Sequence, residues 1–338
     1  MLEMIKELCS LPGISGREEK VREYITSKID GYCEYKVDNL GNIIAFKKGT
    51  NPASKKVMID AHMDEVGMIV TGIDSDGFIK FEQVGSVDSR VIIGRNVLVG
   101  DKGIPGVLGI KPIHLIKKDE EGNIPKNDEL YIDIGAASKE EAEKAVSLGD
   151  YIVFESDFVE FGSGFIKSKA IDDRAGCAVL IDIIRSDIPY DCLFSFTVQE
   201  EIGTRGAAAA AFDIDPDYAI VVESTTAADI NDAKGEDRVC VCGEGCAVSF
   251  MDRGTVYSRD LYTRALDAAK ELGIKAQYKT RVAGGNNARS IHKSRGGVKT
   301  LTLSIPTRYI HSPCCVCKYE DIESVKALVC AMAERLAK

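Results

Sequence analysis

The chain has 338 residues, 45% of them hydrophobic and 28% charged, with a formal net charge of −10 at pH 7. That length is more than one core usually serves, so two domains or one large α/β domain is expected. The acidic balance and the lack of any dense Lys/Arg tract exclude a nucleic-acid partner, and no apolar run approaches the roughly eighteen residues of a membrane span.

The opening, MLEMIKELCSLPG, carries Glu3 and Glu7 and lacks the basic-then-apolar layout of a secretion signal, so a cytoplasmic protein is expected. It reads as helix. Ser15-Gly16-Arg17-Glu18 has the form of a capping box, and Val21, Tyr24, Ile25 and Ile29 then recur at helical spacing. A short strand follows over Ile43 to Phe46, and Val57-Met58-Ile59 reads as a buried strand that stops at Asp60-Ala61-His62-Met63-Asp64. From about Gly72 the texture changes to short apolar runs between Gly and Asp turns: Gly77-Phe78-Ile79, Val91-Ile92-Ile93, Val97-Leu98-Val99 and Val107 to Ile110. Such close turn signals predict a small β-barrel or sandwich, with one helix over Lys139 to Leu148. After Gly162-Ser163-Gly164 strands and helices alternate: helix Ala175 to Ile184, strand Cys192 to Val198, strand Tyr218 to Val222, helix Arg259 to Leu272, strand Leu301 to Ile305 and a closing helix from Tyr319 to Leu336. Alternation of this kind predicts an α/β sheet with helices on both faces, here residues 1–71 and 164–338, into which a β domain of residues 72–163 is inserted.

Polar residues gather where these apolar strands run out, the place where open α/β sheets collect ligands. His62 follows one strand and His311 another; Glu200-Glu201 follow a third, Glu223 closes a fourth, and Asp172-Asp173 precede a helix. Each has an ordinary use as a cap, a solvated loop or a hydrogen-bonding strand end. Five such accidents together explain the set poorly. Asp172, Glu201 and Glu223 supply three negative charges and one hydroxide a fourth, which two divalent ions balance, with neutral His62 and His311 completing one site each. N/O ligands without thiolate suit Zn²⁺ or Co²⁺ foremost, and Mn²⁺. Glu200 is then the candidate general base. Asp64, two residues past His62 in an extended segment, can accept the second imidazole N–H. The eleven cysteines, odd in number and irregularly spaced, fit reduced cytoplasmic thiols. Their tight groups, Cys240/Cys242/Cys246 and Cys314/Cys315/Cys317, lack the paired spacing of zinc knuckles and are expected to be structural.

The stretches Asp60-Ala61-His62-Met63-Asp64-Glu65-Val66-Gly67, Lys169-Ala170-Ile171-Asp172-Asp173-Arg174, Gln199-Glu200-Glu201-Ile202-Gly203 and Arg308-Tyr309-Ile310-His311-Ser312 resemble, in order and separation, the M42 family of metallo-aminopeptidases. The resemblance spans essentially the whole chain. It implies a mixed-sheet α/β/α zinc-peptidase-like catalytic domain with an inserted β-barrel for dimerisation, the dimers often joining into a tetrahedral dodecamer. It further implies that His62, Asp172 and Glu223 hold one metal and Asp172, Glu201 and His311 the other. Glu200 would be the base, Asp64 would orient His62, and the Asp172–Asp173 peptide would be cis. Short peptides with a free N-terminus would be the substrates. His114 falls in the inserted domain's internal motif and is expected to be structural. Two departures stand out: Glu223 where relatives have Asp, and Gly284-Gly285-Asn286-Asn287-Ala288-Arg289 where they read closer to Gly-Gly-Thr-Asp-Ala-Gly. Rival functions are glycoside hydrolysis, since family members have been described as endoglucanases, and a metal-binding oligomer that has lost catalysis. The first leaves the histidines idle and lacks Trp for sugar stacking.

Overall fold

The computed structural model describes residues 1–116, 118 and 122–338. In chain order its strands are β1 (Glu34–Val37), β2 (Ile43–Lys47), β3 (Val57–His62), β4 (Gly67–Ile73), β5 (Ile79–Val84), β6 (Asn96–Val99), β7 (Ile104–Ile110), β8 (Leu130–Asp133), β9 (Tyr151–Phe154), β10 (Val159–Phe161), β11 (Phe165–Ser168), β12 (Cys192–Thr197), β13 (Tyr218–Thr226), β14 (Cys246–Val248), β15 (Ala276–Tyr278), β16 (Lys299–Arg308) and β17 (Cys315–Lys318). Among the described residues, eleven form a mixed sheet and six close a barrel in the order β4-β5-β8-β7-β6-β9.

The centre of the sheet is parallel. Thr197 pairs His62 across β12 and β3, Val221 pairs Asp60 across β13 and β3, and Glu223 pairs Ser304 across β13 and β16. All four strands therefore end on one edge, while antiparallel strands flank them. Alternation along them separates two cores. Ile59, Ala61, Ile220 and Val222 face the helices Ile171–Ile184 and Tyr319–Ala337, whereas Met58, Ala219 and Val221 face Ala207, Ala210 and Ala211 of the helix Arg205–Ile214. Every residue of β3 is buried, as its unbroken apolar start requires of a strand covered on both sides.

The barrel begins with β4, just past His62, and ends with β9, and the chain rejoins the sheet at β10 and β11 before reaching Asp172. Its neck is tight: a Cβ on Gly67 would lie 2.3 Å from Ile14 Cγ2 and 2.6 Å from the Ile152 carbonyl. Among the described residues, no helix is long and apolar enough to cross a membrane.

Several local expectations change. Ser15 and Glu18 form no capping box; the helix starts at Glu19 with no side-chain cap, because both side chains are engaged elsewhere. Val91-Ile92 lies in a helical turn, Ser89–Ile92, whose N-terminus Asp88 caps by accepting from Arg90 N. The helix from Lys139 ends at Ala142. The solvated strand β1, exposed throughout, offers no apolar run by which to read it.

Candidate metal centre

The side chains at the sheet's carboxyl edge converge. His62 is the last residue of β3; Glu223 lies within β13, which stays paired to β16 as far as Thr226↔Thr307. Asp172 and Asp173 open the helix Ile171–Ile184 with non-helical backbone, joined by a cis peptide. Glu200 and Glu201 lie in the turn after β12, and His311 follows β16 in a left-handed conformation, φ +58°.

Asp172 stands between the two histidines. Its Oδ1 is 3.3 Å from His62 Nε2, and its Oδ2 is 3.4 Å from His311 Nε2. Each imidazole nitrogen has a second carboxylate of its own: Glu223 Oε1 at 3.4 Å from His62 Nε2, and Glu201 Oε2 at 3.2 Å from His311 Nε2. All five residues thus meet. Asp173 is an addition that the sequence reading left as a cap. It does cap, accepting Gly176 N at 3.1 Å, and it also offers an oxygen to a group with His62 and Glu223 whose ligand atoms lie within 4.8 Å of one another; His62, Asp172 and Glu201 form a second such group. A carboxylate next to a named ligand is the one signal that could have marked it.

The cluster holds more negative charge than it can keep without cations. Burial, with Asp172 adding to it, pushes Glu201 and Glu223 well above the ordinary carboxylate range despite the nearby imidazoles. Burial opposes a charged His62, but Glu223, Asp172 and Asp64 outweigh it and hold its pKa well above normal. Glu223 Oε2 and Asp173 Oδ2 are buried with no hydrogen-bond partner. Buried acceptors left unmet among repelling carboxylates could hold a cation. Imidazole nitrogens and carboxylate oxygens, with no thiolate among them, suit a borderline divalent ion.

Asp64 does more than face His62. The His62 Nδ1 lies 3.1 Å from the Asp64 backbone carbonyl and 3.4 Å from its Oδ1, so the carbonyl is the closer partner of the ring. The carboxylate instead accepts Ser15 Oγ at 2.5 Å, Glu200 N at 2.9 Å and Glu201 N at 3.1 Å. Neighbouring Glu65 is wholly buried against Lys169, at 2.7 Å, and accepts Gly13 N. Arg174, also buried, donates to the Leu8, Leu11 and Gly13 carbonyls. These bonds tie Leu8, Leu11, Gly13 and Ser15 to residues flanking His62 and Asp172.

Of the departures at 284–289, Asn286 and Asn287 pack inward. Asn286 donates to Asp252 and Tyr257, and Asn287 Nδ2 donates to Asp60 at 2.7 Å and Thr197 at 2.8 Å. Arg289 is exposed, its stem over Gly254. His114 sits exposed in the turn Ile113–Leu115, and His292 Nδ1 meets the Ala288 carbonyl; neither joins the cluster. All eleven cysteines are free thiols, and both tight groups lie outside the groups of potential ligands.

A profile of the M42 glutamyl aminopeptidase family matches residues 41–328. The lysyl aminopeptidase of Pyrococcus furiosus is 34% identical over 344 residues, covering 99% of this chain and 97% of that one. The TET1 peptidase of Pyrococcus horikoshii, described as assembling into a tetrahedron or a large octahedral shell, is 35% identical with a TM-score of 0.86 over 98% of both chains. A Thermotoga maritima protein described as an endoglucanase is 39% identical with a TM-score of 0.81 over 98% of this chain and 99% of its own. The chain belongs to the M42 family of aminopeptidases, hydrolases that act on peptide bonds.

Proposed function

We propose that this chain removes N-terminal residues from short peptides with two divalent cations, Zn²⁺ or Co²⁺, held on either side of Asp172. His62 and Glu223 would complete one site, and Glu201 and His311 the other. One observation carries this: the two oxygens of a single buried carboxylate each face a different histidine, and each histidine has a glutamate of its own. When bound, such ions polarise the scissile carbonyl and bring the pKa of water to about 7. The protein's own groups do the rest. Glu200 accepts a proton from the attacking water at its carboxylate and returns it to the nitrogen of the breaking C–N bond, so the amine leaves neutral. Asp64 holds the backbone of Glu200 and Glu201, and through its carbonyl the tautomer of His62. His311 is 33% exposed against 1% for His62, so substrate enters on the His311 side.

We place the protein in the cytoplasm on its free thiols, and infer that copies pair through the barrel, where Ile113 is 82% exposed and Leu115 and Ile124 are more than half exposed.

The test is hydrolysis of aminoacyl amides and unblocked peptides by metal-loaded protein. Cleavage should stop when the N-terminus is acetylated or the metal is chelated. Glu200→Gln should keep both metals and lose at least about a hundredfold in turnover; a near-normal rate overturns the assignment. Silence across the panel with metals bound would support a decayed metal-binding oligomer. The relative described as an endoglucanase suggests glycoside hydrolysis, whose two carboxylates need no metal. Release of reducing sugar by chelated protein would favour it.

A further inference from the structure

The segment 198–204 joins β12 to the helix Arg205–Ile214 and carries Glu200 and Glu201. It turns sharply, with Gln199 at φ +57° and Gly203 at φ +116°, so its amides cannot follow a strand or helix ladder. Four consecutive backbone N–H groups instead donate to side chains from distant parts of the chain. Val198 N donates to Asn42 Oδ1 at 2.9 Å, and Gln199 N donates to Glu18 Oε1 at 3.1 Å. Glu200 N and Glu201 N donate to the two oxygens of Asp64 at 2.9 and 3.1 Å.

The acceptors are themselves fixed. Asn42 Nδ2 donates to Asp38 Oδ2 at 2.6 Å and to the Gly206 carbonyl at 3.1 Å, which leaves its Oδ1 facing Val198. Glu18 Oε1 also accepts Gly16 N at 2.8 Å. Glu18 is 3% exposed, and among the described residues no ion pair joins it to a cation. A carboxyl kept in such a place is costly unless its acceptor position matters.

We propose that Glu18 is a positioning residue for the general base: through the Gln199 N–H it fixes the direction in which Glu200 projects. The proposal rests on Glu200 being that base. The physical reason is reach. Asp64 holds Glu200 from its own amide onward, while among the described residues only Glu18 holds the amide of Gln199, the left-handed residue from which the turn departs. A displacement of about 1 Å at a reacting group can cost a hundredfold in rate.

The experiment compares Glu18→Ala, Glu18→Asp, Glu18→Gln, Glu200→Gln and the Glu18→Ala/Glu200→Gln pair in metal-loaded, full-length protein. Turnover, KM and metal content are measured on an unblocked peptide. Glu18→Ala should lose roughly ten- to a hundredfold in kcat, with KM and metal content near those of the wild type. Glu18→Gln should recover to within about threefold, because its amide oxygen can accept both N–H groups. Glu18→Asp, which keeps the carboxyl but is too short to reach the Gln199 amide, should stay slow, and it decides the matter if the alanine variant does not fold. The double variant should be no slower than Glu200→Gln, since Glu18 acts through Glu200. Normal turnover in Glu18→Asp, a glutamine variant as slow as the aspartate, or additive losses in the double variant would each overturn the proposal. A near-normal Glu200→Gln would overturn the general-base reading itself, which the slow Glu200→Gln in all those other outcomes keeps separate.

Discussion

Replacing Asp64 with alanine should lower the melting temperature by about 3–9 °C. The side chain is fully buried and its carboxylate accepts three donors, Ser15 Oγ, Glu200 N and Glu201 N. The serine hydroxyl can rotate toward another acceptor, but the two amides are fixed in their turn. A buried donor left without a partner costs roughly 1–3 kcal/mol, so the pair costs about 2–6 kcal/mol. A chain of this length has an unfolding entropy that converts each kcal/mol into roughly 1.5 °C. Asp64→Asn should fall between, because one oxygen remains while its amide group confronts an N–H. The assay is thermal melting of metal-loaded protein followed by circular dichroism at one scan rate. If Asp64→Ala melts within about 1 °C of the wild type, or if the asparagine variant is the less stable of the two, the hydrogen-bond argument fails.

Gly206→Ala should lose about 1–3 kcal/mol of stability and turnover with it. Its Cβ would meet Asn42 Oδ1 at 2.3 Å and the Val198 carbonyl at 2.4 Å, both bracing the turn that carries Glu200; denaturant melts and kinetics on one preparation check it. Chelation should lower the melting point, and restoring metal at a hundred times its Kd should return about 2.7 kcal/mol, which thermal melts across a metal titration will show. Asp321 supplies a pH test away from the centre. Burial, against the Gly243 and Gly245 amides, lifts its carboxyl to about 6. With the folded pKa above the unfolded one, the native state holds the extra proton between about pH 4 and 6, so stability contributed by Asp321 falls as pH rises through that window. The melting-temperature difference between Asp321→Asn and wild type should therefore shift in the variant's favour from pH 4 to pH 7, and a flat difference refutes it.

Four of the five cluster residues were readable because they lie in or just beyond the parallel strands, and the fifth, Asp172, because it stands at a helix start. Val57-Met58-Ile59 stops at Asp60 and His62, and Cys192 to Val198 stops at Gln199 and Glu200. Hydropathy misplaced the ends themselves. β13 continues through Glu223 to Thr226, since pairing with β16 holds the backbone regardless of side-chain polarity. Local pattern also misled at Ser15 and Glu18. Their spacing fits a helix cap, but capping competes with partners brought close by the fold, and Asp64 and the Gln199 amide win them. No periodicity reports a contact across 181 residues. Asp173 was missed for a related reason: its capping bond to Gly176 is real and fully accounts for it in sequence, while its place in a group with His62 and Glu223 exists only once β3 is packed against the helix.

The side chains proposed to grip the ions come from residues 62, 172, 201, 223 and 311, and their supporting acceptors reach back to residue 18. During synthesis, which delivers the N-terminal part first, a ribosome-bound fragment cannot offer the full set of donors until His311 has been made, after the other four. An emerging polypeptide short of His311 would thus present only weak, partial chelates to cellular ions, and selection among competing metals would be deferred until that residue is in place.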